Sequence, residues 1–332
     1  MILVTGGTGL VGAHLLYKLC KQHDEIVATY RNEDSQKHTK EIFKLYGDCS
    51  HYHKIIWRNA DVTDIPALEI AFQDITLVYH AAAMVSFNPK DDVQLRKVNI
   101  EGTANIVNLC LSNQIQKLCF VSSIATLSKK PGIKIVDESC EWNPEEDHSD
   151  YSISKFGAEM EIWRGAQEGL PVVIVNPGVI FGFGMWHANT SKLFVQIKNK
   201  FPFYTKGVTG VVAVNDVTKA MIQLMESTIQ NQRFVLVTQN ISFKNLFDLI
   251  AEKLQVSPPR FYAPKGLTEI LWRINSFLSF LSFYKIDNLL NKYSSRSAHN
   301  QTNYSGNNIK RSIDFTYTPF DISIQEIADK LS

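Results

Sequence analysis

The chain has 332 residues, enough for one large domain or two closely joined ones with a substantial core. Hydrophobic residues make up 45% and charged residues 20%, an ordinary globular balance, and a net charge of +1 without a long basic run argues against nucleic acid as a partner. Five scattered cysteines (Cys20, Cys49, Cys110, Cys119 and Cys140) lack metal-ligand spacing and fit reduced cytosolic thiols better than a disulfide framework, so no metal site is expected.

Met1 leads straight into a strand-like run, which leaves no room ahead of it for a signal peptide, and a cytoplasmic protein is expected. Strands are expected over 2–5, 25–30, 55–59, 77–80, 117–122 and 172–176, with helices over about 9–22, 65–72, 95–112 and 151–168. The runs beginning at Ile2, Leu77, Lys117 and Val172 are nearly all apolar, as strands buried on both faces should be. That pattern predicts an α/β fold built on a doubly wound parallel sheet. After Asn176 the alternation weakens. Gly178, Gly182 and Gly184 punctuate a loop carrying Phe181, Phe183, Met185 and Trp186, whose apolar character suits a hydrophobic substrate. Helices over 214–226 and 242–254 flank a strand near 233–238. The stretch 267–284 is interrupted by Glu269, Arg273 and Asn275, too short and polar for stable membrane insertion. It reads as an amphipathic helix covering a core, with membrane-surface association as the alternative. The polar segment 294–308 reads as a surface loop.

Thr5-Gly6-Gly7-Thr8-Gly9-Leu10-Val11-Gly12 follows the first strand and opens a helix. Gly6 can make the tight turn, Gly9 lets backbone approach a pyrophosphate, and Gly12 permits close helix–strand packing. Unpaired N–H groups and the helix dipole then face the anion. Asp61-Val62 ends the third strand and His80-Ala81-Ala82-Ala83 the fourth, both on the side where open α/β sheets take ligands. The second strand ends without a carboxylate, and Arg31 can pair with a 2′-phosphate and stack on adenine, which favours NADP(H), with NAD(H) the alternative. Tyr151 and Lys155 lie one helical turn apart and share a face. A phenol titrates near about 10, and a neighbouring ammonium favours its phenolate.

The Gly-x-x-Gly-x-x-Gly spacing, the Asp61-Val62 pair, the His80-Ala81-Ala82-Ala83 segment and Tyr151-Ser152-Ile153-Ser154-Lys155 together resemble the extended short-chain dehydrogenase/reductase, or NAD-dependent epimerase/dehydratase-like, family. The resemblance spans nearly the whole chain. It implies a Rossmann-type domain of residues 1–178 plus about 211–238, and a smaller discontinuous substrate-binding region of about 179–210 plus 239–332. It also implies cofactor contacts from the glycine turn, Asp61, Val62, the 80–83 segment, Tyr151, Lys155 and Pro177-Gly178-Val179. By the same resemblance Tyr151 is the catalytic acid/base, Ser123 rather than Ser122 holds the substrate oxygen, Lys155 tunes Tyr151, and Asn99 supports the site.

Within that family, Val85-Ser86-Phe87-Asn88-Pro89-Lys90, Val98-Asn99-Ile100-Glu101-Gly102-Thr103 and Val175-Asn176-Pro177-Gly178-Val179-Ile180-Phe181-Gly182 look closest to dihydroflavonol reductase and 3β-hydroxysteroid dehydrogenase-like members. The implied reaction is hydride transfer between nicotinamide and a carbonyl or alcohol. A nucleotide-sugar epimerase is the first rival and a non-catalytic dinucleotide sensor the second. Ile124-Ala125 stands where dehydratases carry Asp-Glu, and Thr126-Leu127-Ser128 where epimerases carry Val-Tyr-Gly. The intact Ser123, Tyr151 and Lys155 count against the sensor. A homodimer is a family expectation.

Overall fold

Each strand of the central sheet turns alternate residues to opposite faces, and both faces are apolar. In β1 (Ile2–Thr5) Ile2 and Val4 join one core with Leu15 and Leu16, while Leu3 joins another with Leu68 and Ile106. The later strand Val172–Pro177 repeats this, with Val173 and Val175 on the first side and Val172 and Ile174 on the second. The computed structural model describes residues 1–129, 132–186, 190–281 and 292–331. Its main sheet contains β1, β2 (Ile26–Tyr30), β3 (Ile55–Asn59), β4 (Leu77–His80), β5 (Lys117–Val121), β6 (Val172–Pro177) and β7 (Gln232–Leu236). They lie in the order β7-β6-β5-β4-β1-β2-β3, every neighbouring pair parallel. Helices α1 (Leu10–Leu19), α2 (Gln36–Leu45) and α6 (Val214–Glu226) cover one face, and α3 (Ile65–Ala71), α4 (Gly102–Ser112) and α5 (Asp150–Gln167) the other. The chain reverses direction across the sheet between β1 and β4, which opens the crevice at their carboxyl ends.

Beyond β6 a three-stranded sheet of Val179–Phe181, Val208–Ala213 and Gln239–Ser242 leads into a third core, where Phe181, Phe183 and Phe194 meet Leu246, Ile250 and Ile324. Phe181 and Phe183 are therefore core, not the wall of a substrate pocket. Half-buried Trp186 packs against this same core, and Met185 lies at the edge of the crevice.

The structure differs from expectation in four further elements. The expected helix over 95–112 is broken into Asp92–Arg96, a π-turn at Lys97–Glu101 and α4. Helix α2 was not expected, because Thr39, Ile42 and Phe43 are its only buried positions in a polar run. The segment 294–308 holds part of a helix, Lys292–Ser297, and a strand, Asn303–Tyr304, rather than loop alone. The helix Lys265–Leu281 forms, but Leu267, Ile270 and Leu271 face outward instead of covering a core. No described helix is long and apolar enough to cross a membrane. The five cysteines are free, and all but Cys49 are buried.

A Cβ on Gly12 would stand 2.1 Å from the Gly6 carbonyl oxygen, with no side chain between them to move. Gly12→Ala is thus expected to destabilise the chain by about 1–3 kcal/mol through overpacking, seen as a lower Tm. An unchanged Tm would mean that α1 can lift away from the turn freely.

Candidate active site

The glycine turn and the end of β4 touch through backbone. Gly6 holds a φ of +70°, and a Cβ there would lie 2.6 Å from the Ala82 nitrogen, so only glycine fits. Gly9 caps α1 without a side-chain hydrogen bond, leaving the first helical N–H groups for another acceptor. Beside them opens a cavity of about 300 Å³. Gly6, Thr8 and Gly9 form its floor, Ala60, Val62, Ala81, Ala82 and Ala83 one wall, and Thr29, Tyr30, Arg31, Asn32, Ser35 and His38 the far end, with Val98 and Met185 at its margin.

Several expected contacts lie behind this surface rather than on it. His80 is buried, with Nδ1 2.6 Å from the Thr5 hydroxyl and Nε2 3.0 Å from the Thr103 hydroxyl. Burial, reinforced by the nearby Lys155 charge, pulls its pKa down to about 3, so it is a neutral pin between β1, β4 and α4. Thr5 also accepts from the Ala82 N–H at 3.3 Å. Gly7, Leu10, Val11 and Gly12 do not line the cavity; a Cβ on Gly7 would meet Leu16, and Leu10 and Gly12 are buried in α1. Asp61 accepts from both the backbone and the hydroxyl of Thr63, capping its turn, and stands 3.8 Å from exposed Arg31. Pro177, Gly178 and Val179 form the junction of the two larger sheets; a Cβ on Gly178 would lie 2.4 Å from the Gly210 oxygen. Conversely, the sequence reading missed Asn32, Ser35 and His38, which α2 and its approach bring to the cavity.

Ser123, Tyr151 and Lys155 meet where β5 ends and α5 begins. Ser149 caps α5 by accepting from the Ser152 N–H, which fixes Tyr151 in its first turn. Tyr151 is half-buried; burial raises the pKa of its phenol, and the neighbouring Ser123 side chain opposes that rise. Ser123 also caps the short turn Ile124–Thr126 by accepting from the Ala125 N–H. Ser122 points the other way, donating to Glu159 at 2.5 Å. Lys155 is fully enclosed, its ammonium 2.7 Å from the Val121 carbonyl and 4.4 Å above the Phe120 ring. Burial drags its pKa down to about 7, while the Glu159 charge pulls upward. Asn99, buried in the π-turn, accepts from the Met84 N–H and donates to the Met84 carbonyl and the Ser154 hydroxyl. It thereby ties the alanine segment to α5 and positions the site without reaching the phenol. The Phe87 ring lies 5.6 Å from that of Tyr151.

Glu159, one turn beyond Lys155, has no exposure, yet the sequence reading passed over it. Its carboxylate accepts from Ser122, Thr126 at 3.0 Å and Asn176 at 2.9 Å, and pairs with Arg233 at 3.2 Å. Arg233 in turn donates to the carbonyls of Glu138 and Cys140. The only signal available was an acidic residue continuing the i, i+4, i+8 face of Tyr151 and Lys155.

This sheet order, glycine turn and Tyr–Lys helix are those of a nucleotide-dependent enzyme fold, and the model of the NAD dependent epimerase/dehydratase family matches residues 2–236. The chain belongs to that family, whose members are NAD(P)-dependent reductases and epimerases. Among curated relatives it is 26% identical over 275 residues to anthocyanidin reductase of Arabidopsis thaliana, covering 75% of this chain and 79% of that protein. It is 24% identical over 266 residues to bifunctional dihydroflavonol 4-reductase/flavanone 4-reductase of Malus domestica, covering 76% of each. Among solved structures, UDP-glucose 4-epimerase of Thermotoga maritima with UDP-glucose superposes with a TM-score of 0.78 at 17% identity, over 99% of this chain and 98% of that one. The last likeness is one of fold.

Glu159→Ala would leave the Arg233 charge without its carboxylate and the Ser122 hydroxyl without its acceptor, and is expected to cost about 3–5 kcal/mol. Glu159→Gln keeps acceptor oxygen and shape, so its cost should be smaller. Urea unfolding of the two variants measures both, and equal costs would mean that the carboxylate is not the centre of the network.

Proposed function

We propose that this chain reversibly reduces a hydrophobic ketone or aldehyde to the alcohol, with Tyr151 as general acid/base. The observation that carries this reading is the Tyr151 phenol set beside Ser123 at the end of β5, one helical turn from the enclosed Lys155 ammonium. Ser123 can donate to the substrate oxygen while Tyr151 passes its proton to that oxygen in reduction and takes it back in oxidation. Lys155 stabilises phenolate character as the proton leaves. The bound nicotinamide supplies or receives the hydride. The glycine cradle that a Cβ would fill, and the cavity above it, fit such a dinucleotide. Gly6, Thr8, Gly9, Ala81, Ala82 and Ala83 would hold its pyrophosphate and adjoining groups, Lys155 would meet the nicotinamide ribose, and residues 1–178 with about 211–238 would form its domain. Arg31, Ser35 and His38, at the far end without a carboxylate from β2, would take a 2′-phosphate and so favour NADP(H) over NAD(H). Exposed Phe87 beside Tyr151, with exposed Val85 two residues before it, offers apolar surface suited to the substrate class of the reductase relatives. An epimerase would retain its cofactor through a closed redox cycle, and this reading calls instead for exchange.

Tyr151→Phe is expected to lose roughly 10²–10⁴-fold in turnover while binding NADPH as before, measured as NADPH oxidation across aromatic, steroidal and aliphatic carbonyl compounds. A fully active variant rules out its role. Lys155 is charged below about pH 7 and neutral above, so kcat/KM for reduction should fall as pH rises through that value. A rate flat from pH 6 to 9 would contradict the tuning. Arg31→Ala should weaken NADPH binding and leave NADH unchanged; equal or tighter NADH binding by the parent protein would overturn the preference.

A further inference from the structure

The helix Lys265–Leu281 sits inside out. Its buried position is polar: Thr268 is enclosed, its hydroxyl 3.1 Å from His299 Nε2 and accepting from the Ser295 hydroxyl at 3.0 Å. Its apolar stripe points outward, with Leu267, Ile270 and Leu271 all exposed and Ile270 56% so. Immediately before the helix, the parallel strand pair Phe203–Tyr204 and Phe261–Tyr262 carries a second outward apolar group. Phe201, Phe203 and Phe261 are exposed and follow one another at ring separations of 6.0 and 6.1 Å, Phe261 being 62% exposed.

The charges around these side chains are one-sided. Residues 198–206 and 260–273 hold Lys198, Lys200, Lys206, Arg260, Lys265 and Arg273 against the single acid Glu269, a local +5 in a chain of net +1. The cations also lie against aromatic faces: Lys206 stands 4.6 Å above Tyr262, and Arg273 4.8 Å above Trp272. Exposed aromatics and an apolar helix stripe flanked by lysine and arginine form the composition that lies in the headgroup region of a bilayer. A second copy of this chain would set the same positive surface against itself, which disfavours self-association.

We propose that the segments 198–206 and 260–273 form a docking surface for an anionic lipid bilayer, on which the protein rests peripherally. Aromatic and aliphatic side chains enter the interface and the basic residues meet lipid phosphates. This reading is independent of the chemistry at Tyr151.

The full chain is sedimented with vesicles of phosphatidylcholine alone, and of phosphatidylcholine containing roughly one-third phosphatidylglycerol. Binding to the anionic vesicles only, weakened by added salt, is expected. Phe261→Ser with Ile270→Ser and Leu271→Ser should lower partitioning at least tenfold, and Arg260→Glu with Lys265→Glu should do the same. NADPH binding and Tm check that both variants fold. Absence of binding, equal binding to neutral vesicles, or variants that bind like the parent would overturn the proposal. So would light scattering that shows a dimer which the apolar substitutions dissociate.

Discussion

A carboxylate cut off from water is costly unless every lone pair meets a donor, and that requirement at Glu159 shapes much of the site. Its partners come from three places, Ser122 and Thr126 after β5, Asn176 in β6 and Arg233 in β7, while Glu159 itself stands on α5. Satisfying one buried group therefore locks the ends of three adjacent strands to the helix that bears Tyr151. Ser122 is drawn inward, and its neighbour Ser123 is left facing the phenol. The same negative charge offsets part of the desolvation felt by Lys155.

A second clamp works from the other side of the crevice. Asn99 joins Met84 to Ser154, and His80 joins Thr5 to Thr103. Neither side chain needs to touch a ligand for its loss to be felt. They set the backbone of the alanine segment against Gly6, where there is room for glycine alone. The family holds reductases and epimerases alike, and these bonds hold backbone in place rather than a substrate. On the proposed function, the choice of substrate falls to side chains at the rim, such as Phe87.

The features legible in the sequence were those written in short spacings. Three glycines three residues apart, strands apolar on both faces, and a tyrosine one turn from a lysine all report on local geometry. The Glu159 network was illegible because its partners lie 17 to 74 residues away, and nothing local marks a charge that will be buried. Asp61 and Pro177-Gly178-Val179 fitted the family pattern, yet here they serve a turn and a sheet junction, roles that depend on neighbours from elsewhere in the chain. Phe181 and Phe183 were apolar in sequence as they would be in either a core or a pocket wall. For Lys265–Leu281 the amphipathic period was visible, but which side faces the protein is decided by Ser295 and His299.

Lys155 carries a further consequence, for the folding equilibrium. Its side chain would hold a proton up to about pH 10 in the unfolded chain, but in the folded one releases it near 7. Between these values the unfolded state binds more protons, so this residue makes the protein more stable as the medium turns alkaline; below 7 its full penalty applies. An anion settling beside the ammonium would raise the folded value and flatten that gradient. A bound anion and alkalinity are thus two routes to relieving one buried charge.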